Sequence, residues 1–101
     1  MERRAALVTG ARGGIGAAIV ARLEADGWAV HGVDVEDADL TTRAGNERVV
    51  SEAIERLGRL DAIVPNAGCQ HVAPVREFPE EQWDKLIALL LTSPFLLTRY
   101  A

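Results

Sequence analysis

The sequence predicts an α/β fold, a parallel sheet with helices packed on its faces, and three observations predict it. Short apolar runs alternate with longer segments of helical periodicity, in the order strand, helix, strand, helix, strand, helix. The strand candidates lack polar–apolar alternation, as strands covered on both faces do. Marked turns follow the strands, at the carboxyl edge where ligands of open α/β sheets bind.

Ala5 to Thr9 reads as the first strand. A glycine-rich turn leads into an amphipathic helix over Gly14 to Ala25, with Ile15, Ile19 and Leu23 on its apolar face, backed by Ala18. Asp26-Gly27 ends that helix, with Gly27 in the position that favours a left-handed residue. Ala29 to Val33 is the second strand, and the polar stretch Glu36 to Gly45 follows it. Asn46 is expected to cap a second helix reaching Leu57, with Val49, Val50, Ala53, Ile54 and Leu57 inward and Gly58 as its stop. Asp61 to Val64 is the third strand, and Pro65-Asn66-Ala67-Gly68 is the turn after it. A loop with Pro74 and Pro79 leads to a last helix, expected to run from Glu80 to the end.

Composition narrows the function. The chain has 101 residues, enough for one small domain, with 49% hydrophobic and 26% charged residues, as in ordinary soluble proteins. The net charge is −4 and the basic residues are scattered, which argues against nucleic acid and anionic membranes as partners. The longest apolar run, Leu86 to Leu91, is six residues, far short of a membrane span. No apolar core follows Met1-Glu2-Arg3-Arg4, so a secretory signal is not expected. Cys69 is the only cysteine, which excludes an internal disulfide and a cysteine metal cluster and fits a cytoplasmic protein.

The segment Thr9-Gly10-Ala11-Arg12-Gly13-Gly14-Ile15-Gly16 carries the strongest functional signal. Its G-x-x-x-G-x-G spacing, between a strand and a helix, is what a backbone needs to pass close to a pyrophosphate. Gly10 permits the tight turn; Gly14 and Gly16 remove side chains where the loop meets phosphate and where helix packs on strand. The helix N-terminus adds unpaired N–H groups and partial positive charge, worth about 0.3–1 kcal/mol per anionic charge. Such a pattern can also be a plain loop, and context decides. Asp34 ends the second strand, 24 residues after Gly10. A carboxylate there accepts hydrogen bonds from a ribose diol and repels a 2′-phosphate, which predicts NAD in preference to NADP. The alternative for Asp34 is a solvated acid at a strand end.

These residues resemble the short-chain dehydrogenase/reductase family. Thr9–Gly16 is similar to its T-G-x-x-x-G-I-G cofactor motif at every fixed position, and Asn66-Ala67-Gly68 to the end of its N-N-A-G motif. The resemblance implies a Rossmann-type three-layer α/β/α domain, truncated after the helix that follows the N-A-G strand. Residues 1–101 would be the N-terminal, NAD-binding part of one domain. It assigns cofactor contacts to Thr9, Gly10, Arg12, Gly14, Ile15, Gly16, Asp34, Asn66, Ala67 and Gly68, and places Asp39-Leu40 against the adenine ring. Asn66 to Pro74, reading NAGCQHVAP, resembles the D-3-hydroxybutyrate dehydrogenases of the family, followed as there by Phe78-Pro79 and Trp83-Asp84. By position Gln70 then inherits the hydrogen bond to a substrate carboxylate, a task suited to a neutral amide. The alternative is that Gln70 is a loop residue. His71, His31 and Cys69 read as structural.

The sequence departs from the family at several points. Pro65 replaces the first asparagine of N-N-A-G and removes an N–H at the strand end. Leu90 stands where the family has the asparagine that supports its proton relay. The link from Asp34 to Asp39 is short, so the sheet is expected to lack an edge strand beyond the second strand. The family's catalytic Tyr-x-x-x-Lys and serine have no counterpart in these residues, and Tyr100 is the only tyrosine. The resemblance thus implies an NAD-dependent oxidoreductase of short hydroxy and keto acids whose 101 residues do not turn over by themselves, with no metal. A homo-oligomer is expected through the last helix, apolar almost all round. Two other readings stay open: another reductase of the family, of 3-oxoacyl or sugar-alcohol type, and a non-catalytic NAD-binding fragment.

Overall fold

The computed structural model describes residues 3–101. Three parallel strands form the sheet: β1 (Ala5–Thr9), β2 (Ala29–Val33) and β3 (Ala62–Val64), in the spatial order β2-β1-β3. β1 is buried at every residue, which is why it carries no polar residue before Thr9. Leu7 pairs with His31 on one side and Ile63 on the other. Among the described residues no strand lies beyond β2, as the short Asp34–Asp39 link predicts. Asp61 falls just outside β3, yet its N–H donates to Ala5 O (2.8 Å) and its carboxylate accepts the Ala5 N–H (2.8 Å), so a side chain continues the ladder. Pro65, with no N–H, ends it.

The two sheet faces are covered by different helices. Helix α1 (Gly14–Ala25) rests on β1 and β2, with Gly16 buried beneath it. Helix α2 (Arg43–Leu57) covers the other face, where Leu7, Val33, Leu40, Val49, Val50, Ala53 and Leu97 make the core. Burying a Leu or Val side chain stabilises by about 1.5–3 kcal/mol, so this cluster is the main source of cohesion. The architecture is the α/β/α arrangement the sequence predicts.

Four expectations need correction. The cap of α2 is Thr42, not Asn46: Thr42 Oγ1 accepts the Gly45 N–H (3.0 Å), and the helix begins at Arg43. Asn46 is instead a buried tie. Its Nδ2 donates to Leu40 O (3.0 Å) and Thr42 O (2.7 Å), and its Oδ1 accepts from Ser93 Oγ (2.6 Å). Second, Ile15 is 72% exposed, and it forms with Ile19 and Leu23 a shallow apolar groove instead of a core face. The face was assigned from spacing, but Gly16, having no side chain, is what lets α1 approach β1. Third, Ile54 is 40% exposed, at the margin of α2's inner face.

Fourth, the last helix is not continuous. It divides into α3 (Glu80–Ile87), a π turn (Ala88–Thr92) and α4 (Ser93–Tyr100). Ser93 N–H donates to Ala88 O, five residues back, and Pro94 follows at the start of α4. A proline inside an α-helix lacks the i→i−4 donor and its ring crowds the preceding turn; the wider π turn is a common accommodation. Leu96 and Leu97 of α4 are buried, whereas Leu90, Leu91 and Phe95 are 52%, 66% and 61% exposed.

Candidate functional site

At the carboxyl edge of the sheet lies a cleft of about 1280 Å³. Its floor is the β1–α1 loop, with Gly10, Gly13, Gly14, Ile15 and Gly16. One wall is the segment after β2 (Asp34, Val35, Ala38 to Thr41) and the other the turn after β3 (Asn66 to Cys69), closed by Asp84, Lys85, Ala88 and Leu89. A small-ligand pocket is typically about 300–1,000 Å³, so the cleft has room for an extended ligand.

Two close approaches build the floor. Gly10 has φ +63°, in the left-handed region where glycine is favoured. A Cβ on Gly16 would lie 1.9 Å from Gly10 O, so a side chain is sterically barred there. At Gly14, by contrast, an added Cβ would meet no protein atom within 4 Å. The β1–α1 loop is tied to the β3 turn by Asn66 Nδ2, which donates to Gly10 O (3.2 Å), and by the Ala67 N–H, which donates to Thr9 Oγ1 (3.0 Å). Thr9 is 1% exposed and acts from beneath the cleft.

Asp34 is held as an ionised acceptor. Its Oδ1 takes the Val35 N–H (2.8 Å) and its Oδ2 the Arg12 N–H (2.8 Å). These two backbone donors hold its carboxyl below the usual carboxylate range. A carboxylate offers about four lone-pair sites, so acceptor capacity remains toward the cleft. Asp39 is held in the same way by the Thr41 hydroxyl (2.6 Å) and N–H (3.0 Å), which lower its pKa. Leu40, beside it, is 8% exposed and presents an apolar wall.

Of the residues singled out in the sequence, Gly10, Gly14, Ile15, Gly16, Asp34, Asp39, Leu40, Asn66, Ala67 and Gly68 line this one cleft. Three stand off its walls. Thr9 is buried; the Arg12 guanidinium turns to Asp37 (2.6 Å) and Glu36 (3.3 Å); Gln70 is exposed on the following loop. Spacing along the chain missed the contribution of α3 and the π turn, from which Asp84 and Lys85, and Ala88 and Leu89, reach the cleft. Gly45 was also missed: its Cβ would lie 1.9 Å from Asp39 O, so the first turn of α2 needs a glycine there.

Of the residues read as structural, His31 and His71 make packing contacts, whereas Cys69 is exposed and lines the cleft. His31 is 5% exposed on β2, its Nδ1 is 3.2 Å from Arg56 Nη1, and burial followed by the Arg56 charge lowers its pKa. His71 packs edge-on against Phe78 with ring centroids 5.2 Å apart. Leu90 lies in the π turn, its Cδ2 3.2 Å from where a Gly68 Cβ would stand. Among the described residues there is no group of histidine, cysteine or carboxylate side chains able to hold a metal ion, and no helix is long and apolar enough to cross a membrane.

A glycine-floored cleft with an oriented acid on its second strand points to a dinucleotide. The family profile of the short chain dehydrogenases matches residues 33–101. The chain belongs to that family. It is 37% identical over 122 residues to the D-beta-hydroxybutyrate dehydrogenase of Cupriavidus necator, covering 100% of this chain and 47% of that protein. Its fold superposes with a TM-score of 0.91 and 29% identity on a Brucella melitensis short-chain dehydrogenase/reductase described as glucose/ribitol dehydrogenase, covering 100% of this chain and 52% of that one. A blue fluorescent protein from a metagenomic library, solved in complex with NADPH, is similar at 27% identity and a TM-score of 0.83, over 99% of this chain and 50% of its own. The chain thus spans about half the length of the relatives it matches. The short-chain dehydrogenase family uses nicotinamide cofactors, and the Rossmann-type fold seen here is the one those relatives share.

Proposed function

We propose that the chain is the cofactor half of an NAD-dependent dehydrogenase, with the cleft as its dinucleotide site. The observation that carries this is Asp34, an ionised acceptor on the cleft wall fixed by two backbone N–H groups, one of them from the glycine loop. Its lone pairs suit the two hydroxyls of a ribose, and its charge opposes a 2′-phosphate. Gly10, Gly14, Ile15 and Gly16 would take the pyrophosphate. Thr9 and Arg12 would set the loop's shape from behind, Asp39 and Leu40 would flank the adenine, and Asn66, Ala67 and Gly68 would border the nicotinamide end. The nicotinamide supplies hydride acceptance or donation. The chain's own residues bind, orient and exclude water.

The substrate we propose for the complete protein is D-3-hydroxybutyrate, oxidised to acetoacetate. Support comes from the Asn66–Pro74 segment and from the similarity to the Cupriavidus necator enzyme. Gln70, exposed just beyond the cleft, would bind the carboxylate. These 101 residues hold no Tyr-x-x-x-Lys, so turnover is not expected of them alone. The exposed Leu90, Leu91 and Phe95 form a face suited to a second subunit, and a cytoplasmic setting completes the reading. Leu90 favours the second reading, a binding module without turnover, because its side chain can neither donate nor accept the hydrogen bond that asparagine offers.

Titrating the purified chain with NADH and NADPH, followed by nicotinamide fluorescence, tests the site. NADH binding at least tenfold tighter than NADPH binding is expected. A folded chain that binds neither refutes it.

A further inference from the structure

The NAD reading leaves Arg12 unexplained, since a guanidinium one loop away from the ribose acid is a natural receptor for a 2′-phosphate. We infer that Asp37 is a specificity-positioning residue: it clasps Arg12 away from the ribose and so denies NADP the cation its extra phosphate would need.

The geometry is a closed ring of contacts between two loops. Asp37 Oδ2 accepts from Arg12 Nη2 (2.6 Å) and from the Asp34 N–H (2.8 Å). The Arg12 N–H donates to Asp34 Oδ2 (2.8 Å). Asp37 N–H returns to Asp34 O (2.9 Å), so Asp34 to Asp37 is a tight turn that presents both carboxylates together. Glu36 Oε2 stands 3.3 Å from the same Nη2. Two carboxylates, Asp37 and Glu36, therefore engage the guanidinium while Asp34 holds the Arg12 backbone N–H, and the net charge of the cluster is negative. A 2′-phosphate would meet Asp34 directly and find Arg12 already engaged.

This differs from discrimination by Asp34 alone. Neutralising Asp34 removes one repulsion but leaves Arg12 held by Asp37 and Glu36. Asp34→Asn is thus expected to weaken NADH without admitting NADPH. Freeing Arg12 requires Asp37 as well. Asp37→Asn keeps an oxygen for the Asp34 N–H while removing the nearer of the two charges on Arg12, leaving Glu36 at 3.3 Å as its remaining ion pair. Arg12 then can pair with the phosphate by a charge-assisted hydrogen bond.

The inference rests on the NAD reading, and the test separates the two. NADH and NADPH are titrated by fluorescence into the wild type, Asp34→Asn, Asp34→Asn/Asp37→Asn and that pair with Arg12→Gln, each checked by circular dichroism. The double variant should raise the NADPH-to-NADH affinity ratio roughly tenfold above Asp34→Asn alone, the scale of one such bond. Adding Arg12→Gln should return it. A ratio equal in the double variant and Asp34→Asn, or a gain that survives Arg12→Gln, overturns the inference while leaving NADH binding intact. Wild type that binds neither dinucleotide overturns the functional reading and this inference together. All three side chains are on the surface, and Asp37→Ser serves if the asparagine variant loses its circular dichroism.

Discussion

Replacing Gly16 and Gly14 by alanine, one at a time, separates the packing role of the glycine loop from its binding role. At Gly16 the new Cβ would sit 1.9 Å from Gly10 O and 2.7 Å from Gly10 C, where no Cβ comes closer than 3.0 Å. The backbones must therefore part by about 1.1 Å. The obstacle is main chain, which cannot swing aside as a side chain can. Overpacking of this kind costs about 1–3 kcal/mol, and at roughly 4–8 °C per kcal/mol the melting temperature should fall by roughly 4–24 °C. The shift also pulls the α1 N-terminus off the cleft floor, forfeiting up to about 2 kcal/mol of its attraction for an anion, so NADH should weaken as well. At Gly14 an added Cβ touches no protein atom. Gly14 is the first residue of α1, where alanine gains less than its interior preference of about 0.8–1.0 kcal/mol, and with no clash Gly14→Ala should melt no lower than wild type. Gly14 lines the cleft, and with the proposed pyrophosphate lying against it the methyl group should weaken NADH by roughly tenfold, a loss of about 1.4 kcal/mol of contact. Thermal melts by circular dichroism and NADH titrations give both numbers for each variant. Gly16→Ala with an unchanged melting temperature would refute the close approach, and Gly14→Ala with unchanged NADH affinity would refute the pyrophosphate floor.

Ser93→Ala should cost about 1–3 kcal/mol in urea unfolding, because it leaves the buried Asn46 Oδ1 without its donor; a loss within error would show that the pair is not coupled. His31 is held neutral by burial and Arg56. With its folded pKa below the ordinary value of about 6.5, the unfolded chain takes up a proton there that the native chain refuses, and stability falls as pH drops through that value. Urea midpoints at pH 7.5 and 5.5 should differ more in wild type than in His31→Val, and equal differences would remove His31 as the cause. Leu91→Glu/Phe95→Glu should convert a self-associating chain to a monomer in sedimentation, whereas a monomeric wild type would leave the exposed helix face without a partner copy.

How far the sequence reached depended on the kind of interaction. The strands β1 and β2, the helix α1 and the α2 stop at Gly58 follow from local rules: apolar runs, helical spacing and a left-handed glycine (φ +78°). The loop glycines and Asp34 were legible because dinucleotide chemistry demands particular residues at particular spacings, and ten such residues do meet in one cleft. Asn46 was misjudged because a cap and a buried tie use the same amide, and the choice rests on Ser93, 47 residues away. Thr42 takes the cap because the helix begins at Arg43, which leaves Asn46 inside it.

The sequence by itself determined the order of the elements, the parallel sheet, the glycine floor and the acid on β2, since each is written in contiguous residues whose backbone preferences or chemistry are local. Only the tertiary structure decided that Ile15 faces outward, that α3 closes the cleft and that the last helix widens to a π turn before Pro94. It also decided that Arg12 belongs to Asp37. Those outcomes depend on which surfaces meet when the sheet and helices pack, and on the competition between a donor's near and distant partners, which no spacing along the chain records.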